Sequence, residues 1–213
     1  MDDATNWHYE LLGLKVVEEL QKNLFNAAFY KTTQAVVEEL LSTIPQNATI
    51  GVAGSWTIQT LGLVELFEAR GNTVFYHHKP GLSPEEVLEV RRKQLTCDVF
   101  LTSTNAITVD GRLVNTDGIG NRVAAMIFGP RKVIVLVGRN KIVKGIEEAQ
   151  ERIRTIAAPL NSKRLNRPNP CVQEGLCMDC QGPTRICNVT TVLHKRPPQT
   201  DLHVWLIGED LGF

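Results

Sequence analysis

From residue 49 onward, short apolar runs of strand length alternate with stretches of helical spacing, and this rhythm restricts the fold more than any other feature. Thr49-Ile-Gly-Val-Ala53, Thr73-Val-Phe-Tyr76, Asp98-Val-Phe-Leu-Thr102, Lys132-Val-Ile-Val-Leu-Val137 and Leu202-His-Val-Trp-Leu-Ile207 predict buried strands. Between them, helices are predicted after Thr57 up to Arg70, from Ser83 to about Thr96, over Asn121–Phe128 and over Ile142–Ala158. Ser83-Pro-Glu-Glu86 is a capping box that starts the second of these. Strands joined by helices lie parallel and are buried on both sides, so the fold class is α/β: a mainly parallel sheet with helices on both faces. Ligands of such sheets sit at the carboxyl ends of the strands, which directs attention to loops 54–57, 77–83, 103–122 and 138–141.

Two segments interrupt the alternation. Ile107-Thr-Val-Asp-Gly-Arg-Leu-Val114 reads as a hairpin turning at Asp110-Gly111. Residues 6–44 read as two N-terminal helices ended by Pro45. With 213 residues the chain suits one domain, 1–213, organised as helices 6–44, an α/β core 49–158, a Cys-rich segment 161–200 and a last strand 202–207.

Charge narrows the partners. The 23 Lys and Arg balance 23 Asp and Glu, so the basic surplus of a general nucleic-acid binder is missing. No apolar run reaches the roughly 18 residues of a membrane span, and a cytoplasmic location is expected. Charge is uneven along the chain. Residues 1–45 carry three Lys against seven acids, and residues 161–200 carry six Lys and Arg against Glu174 and Asp179.

Gly51-Val-Ala-Gly54-Ser-Trp-Thr57 passes from a strand into a helix. Gly54 lets a ligand approach the backbone, and Ser55 and Thr57 add hydroxyls suited to a phosphate or carboxylate. A tight turn with a hydroxyl cap explains the same residues, and no Walker loop follows, so no nucleotide cofactor is expected. The stretch 102–122 gathers Asn105, Asn115, Asp117, Asn121 and Arg122 around glycines. Arg122 is placed to clamp an anion, and Asp117 to act as a base or ligand a cation. The plainer alternative pairs Arg122 with Asp117 and leaves Asp117 and Asn121 to the turn backbone. His77-His78 follows a strand, where neighbours alternate, so at most one is expected to face the site. Trp56 is placed to stack on a ligand or to pack in the core, and Cys97 reads as a packed thiol.

Gly54-Ser-Trp-Thr, the block from Thr104-Asn-Ala-Ile-Thr through Asp-Gly-Arg-Leu-Val-Asn-Thr-Asp-Gly to Gly-Asn-Arg122, and Phe128-Gly-Pro-Arg-Lys-Val-Ile resemble the LUD (lactate-utilisation) family over most of residues 10–158. The resemblance implies a fold similar to glucosamine-6-phosphate deaminase, ribose-5-phosphate isomerase and the CoA transferases. In those folds the Gly-rich loop after the first strand holds an anionic group, a role that falls here on Gly54, Ser55 and Thr57. It also implies a setting in the oxidation of lactate or similar acids, with a separate iron–sulfur electron-transfer protein as partner. It transfers no catalytic residue.

Cys171-x5-Cys177-x2-Cys180-x6-Cys187 places four thiols within seventeen residues. Four thiolates suit zinc or an iron–sulfur cluster, and the surrounding cationic balance offsets their charge. The spacing matches neither a ferredoxin run nor a zinc ribbon, and redox-active disulfides or free thiols are the alternatives. Three functions follow. The first is a LUD-type protein of organic-acid oxidation, binding a small anionic metabolite and a metal or cluster. The second is a non-catalytic redox-sensing or assembly subunit. The third is an isomerase or acyl/CoA transferase-like enzyme relying on Asp117. Self-association, through a sheet edge or the N-terminal helices, is an admissible assembly.

Overall fold

The computed structural model describes residues 3–213. The chain opens with helix α1 (Asp3–Lys22), strand β1 (Asn26–Tyr30) and helix α2 (Thr33–Thr43). The strand corrects the expectation of two consecutive helices over 6–44. Asn-Ala-Ala-Phe-Tyr carries no β-branched residue to announce a strand; a distant partner strand imposes one, as tertiary pairing overrides propensity. The core follows as β2 (Thr49–Val52), α3 (Trp56–Thr60), α4 (Leu63–Ala69), β3 (Thr73–Tyr76), α5 (Pro84–Gln94) and β4 (Val99–Thr102). The single helix expected up to Arg70 breaks at Gly62, whose φ of 61° is left-handed. The capping box forms in full: the Ser83 hydroxyl accepts from Glu86 N at 3.2 Å, and Glu86 accepts from Ser83 N at 2.8 Å.

Next come β5 (Ala106–Thr108), β6 (Leu113–Asp117), α6 (Asn121–Ile127), β7 (Lys132–Gly138) and β8 (Ile142–Val143). Helices α7 (Ile146–Arg152) and α8 (Ala158–Arg164) are joined through a π-helical turn over Ile153–Ala157. The short α9 (Cys171–Glu174) leads to β9 (Val189–Leu193) and β10 (Asp201–Ile207).

Six parallel strands form the main sheet in the order β1-β10-β7-β4-β2-β3. Residues of β7 alternate between its faces. Val133, Val135 and Val137 join α1 and α6 on one side, and Ile134 and Leu136 join α2, α3 and α4 on the other. Both faces are dry, which explains the uninterrupted apolar run of this strand. A second sheet, β8-β5-β6-β9, contains the expected hairpin and lies under α7 and its π turn through Val114, Val143, Ala149 and Ile153. Strand β9 arises inside the Cys-rich segment, where no strand was expected.

The strand order places the site. The chain leaves β2 for β3 on one side, then returns to β4 on the other side of β2. Loops leaving β2 and β4 therefore diverge, opening a crevice at their carboxyl ends, the usual ligand position in a doubly wound sheet.

Candidate functional site

A cleft of about 380 Å³ occupies this crevice, lined by residues 54–57 after β2, 77–78 after β3, 103–105 after β4, and 116–119 with 121–122 at the end of β6 and just beyond it. The Cys-rich segment closes one wall through Pro183, Thr184, Arg185 and Ile186. Gly54, Ser55, Thr57, Asn105, Asp117, Asn121 and Arg122 thus meet around one cavity. Their roles differ from the simplest reading of the sequence.

Arg122 is held by the protein itself. Its Nε donates to Asp117 Oδ1 at 2.8 Å, Nη1 to Ser103 O at 2.9 Å and Asn115 Oδ1 at 2.7 Å, and Nη2 to Asn105 Oδ1 at 2.7 Å and Thr116 O at 3.2 Å. A guanidinium has five N–H donors, so none is left for a ligand in this arrangement. Asp117 is equally committed, since its Oδ2 accepts from Val123 N at 3.1 Å and anchors the start of α6. The pairing of Arg122 with Asp117 is the plainer alternative of the sequence reading; these residues stitch the loop after β4 to β6.

Helix α3 has five residues, too few to supply an anion-binding helix terminus. Ser55 makes no side-chain cap bond. The Thr57 hydroxyl lies 3.3 Å from Leu211 O, to which it donates. Trp56 stacks on Phe213, with ring centroids 5.9 Å apart and planes within 10°. The Arg164 guanidinium sits over the same indole at 5.7 Å.

Both His77 and His78 line the cleft, which corrects the expectation of at most one. Strand alternation does not apply, because β3 ends at Tyr76 and the histidines occupy the turn beyond it. Their ring centroids lie 4.4 Å apart with planes tilted by 40°, next to Gly54, where a Cβ would come within 2.5 Å of His78 Nε2. Burial, aided by His78 and Arg91, lowers the His77 pKa to about 3, and burial also lowers that of His78. Both imidazoles are neutral near pH 7. Cys97 is buried away from the cleft, and burial raises its thiol pKa to about 11.

Cations that the sequence did not single out dominate the lining. Arg91, Lys141, Arg164 and Arg167 all face the cavity. Arg91 Nε is buried without a hydrogen-bond partner among the described residues, and burial together with Arg167 lowers its pKa. Arg164 donates to Gly54 O at 2.9 Å and Asn161 Oδ1 at 2.7 Å. Among the described residues, the only acid in the lining is Asp117, already neutralised by Arg122. Arg91 and Arg164 come from helices, Lys141 from the flagged loop 138–141 and Arg167 from the segment after α8, and nothing in the local sequence marked them as convergent.

The five cysteines are free thiols. Cys171 is buried at the start of α9, while Cys177, Cys180 and Cys187 are half-buried. Arg185 ties two of them together, donating to Cys180 O at 2.6 Å and Cys187 O at 3.0 Å. The Asp179 amide donates to Cys177 Sγ at 3.4 Å. Burial and the neighbouring thiols Cys177, Cys171 and Cys180 raise the Cys187 pKa to about 11. Among the described residues, no group of three or more His, Cys, Asp or Glu side chains is arranged to hold a metal ion.

Fold and cleft together define an α/β protein of doubly wound strand order with a cation-lined crevice at its switch point. By its match to the LUD domain over residues 14–207, the chain belongs to the LUD domain family. Among solved structures it is similar to a DUF162 family protein from Deinococcus radiodurans, at 16% identity and a TM-score of 0.49, covering 93% of this chain and 98% of that one. No curated protein matches its sequence. Among the described residues, no helix is long and apolar enough to cross a membrane.

Proposed function

We propose that the chain binds a small anionic metabolite, an organic acid of the kind the family's name points to, in the cleft between loops 54–57 and 103–122. The observation that supports this is the excess of cationic groups around the cavity, with the Arg91 Nε buried and without a partner among the described residues. A buried donor without a partner costs about 1–3 kcal/mol, which an anion seated against it would return. Arg164, with Arg167 nearby, offers the complementary charge, and the neutral histidines supply polar edges without adding desolvation cost.

Thermal shift and calorimetric titration with lactate, pyruvate and inorganic phosphate test the reading. Stabilisation by at least one of these anions is expected, and it should be lost in Arg91→Gln while the unliganded stability stays near wild type. No response of the wild-type protein to any of them would remove the reading.

A second reading concerns the Cys-rich wall. The crowding of four cysteines within seventeen residues, in a segment with a cationic surplus, supports a zinc or iron–sulfur site formed by convergence of the thiols. Metal and sulfide analysis after anaerobic purification tests it. Stoichiometric zinc, or iron with labile sulfide, supports the site, and four titratable thiols with neither metal dismiss it.

A further inference from the structure

Lys141 is the most deeply buried cation of the cleft. It lies in the 3₁₀ turn Arg139–Lys141 that follows β7, is 3% exposed, and lines the cavity. Its Nζ donates to Thr57 Oγ1 at 2.8 Å and to Ser103 Oγ at 2.9 Å. The protons of these hydroxyls are used elsewhere: Thr57 donates to Leu211 O at 3.3 Å, and Ser103 to Thr104 O at 3.3 Å. Both hydroxyls therefore accept from Lys141.

Two acceptors match an amine with two N–H bonds. An ammonium would carry a third proton, for which the described residues give no acceptor, and no carboxylate forms an ion pair with Lys141. Arg122 and Arg152 are the charged neighbours, and both are cations. Burial and these two guanidinium groups lower the Lys141 pKa well below the usual lysine range. In its neutral form the amine keeps a lone pair that neither hydroxyl occupies.

We infer that Lys141 is a nucleophilic amine that forms an imine with the carbonyl carbon of a 2-oxo acid bound in the cleft. The proposal rests on the anion-binding reading above. The short helix α3 connects the two requirements, since Trp56 lies beneath the Arg164 guanidinium and the next residue, Thr57, holds Lys141. In the proposal the carboxylate faces the cations that line the same cleft and the carbonyl is directed at Lys141. In the step, the Nζ lone pair forms the C–N bond while the carbonyl π pair moves to oxygen. The two protons given up by nitrogen pass to this oxygen, the C–O bond breaks to release water, and the nitrogen electron pair forms the C=N bond. One amine and one carbonyl give one imine and one water, with no oxidant or reductant. Thr57 and Ser103 position the amine.

Borohydride trapping tests the inference. The full chain is incubated with pyruvate or 2-oxoglutarate, reduced, digested and mapped by mass spectrometry, and binding of the same acids is measured in parallel by thermal shift. The expected result is a secondary-amine adduct on Lys141 that requires both oxo acid and borohydride, with the other lysines as internal controls. Lys141→Met should lose the adduct. Stabilisation by the oxo acids without modification of Lys141, or modification spread evenly over surface lysines, would overturn the imine and leave the anion cleft standing. Absence of both stabilisation and adduct would overturn the cleft and the imine together.

Discussion

Replacing Arg122 by Met separates a structural pin from a ligand clamp. The side chain is 15% exposed and Asp117 8%, so the pair is largely desolvated. Met keeps the stem but leaves Asp117 as a buried carboxylate facing only the Val123 amide, and strips donors from Asn105, Asn115 and two carbonyls. Breaking a buried pair by removing one partner costs about 3–5 kcal/mol. The lost hydrogen bonds belong to the same network and do not add independently. A domain of this size loses roughly 2–4 °C per kcal/mol, so a fall in Tm of roughly 6–20 °C is expected. Urea denaturation should show a lowered midpoint with an unchanged slope. An Arg122→Met protein with wild-type Tm and no response to anions would refute the argument, because the guanidinium would then serve the ligand rather than the loops.

Acid should weaken the fold through His77. The unfolded chain takes up a proton on this residue near pH 6.5, and the folded protein only near pH 3, so stability is lost progressively as pH falls between those values. The pH series of Tm should flatten over that window in His77→Gln, and an unchanged slope would count against burial as the cause. In Gly54→Ala the new methyl displaces the His78 ring, a flexible side chain, into the cleft. Stability should stay close to wild type while anion affinity drops, and a large loss of Tm instead would mean that the ring cannot move. Ser83→Ala removes the cap of α5 and should cost about 1 kcal/mol, read as a Tm lower by a few degrees with anion binding intact.

The parts of the fold legible in the sequence were those written in local pattern. Lys132–Val137 could only be a doubly covered strand, and Ser83-Pro-Glu-Glu86 carries both halves of its capping box within four residues. The strands β1 and β9 were not legible, because neither is stable without a partner far away in sequence. The same distinction runs through the site. Loop 54–57 and block 102–122 were conspicuous because glycines and amides cluster along the chain. The charge of the cleft was not, since Arg91, Lys141 and Arg164 come from three separate elements. Their significance arises from convergence. Arg122, conspicuous in the sequence, is spent on holding the loops, which only its partner list reveals.

The position of β10 has a consequence for synthesis. β1 has one partner strand, and that strand is β10, with Asn26 opposite His203 and Tyr30 opposite Ile207. During translation β1 waits for β10, and β7 also keeps an open edge until β10 fills the gap. Nascent chains halted before residue 201 would therefore present two unpaired parallel edges and the uncovered apolar side of α1. Chaperone demand should fall once β10 has emerged, and the sheet closes by one insertion between β1 and β7 rather than growing strand by strand.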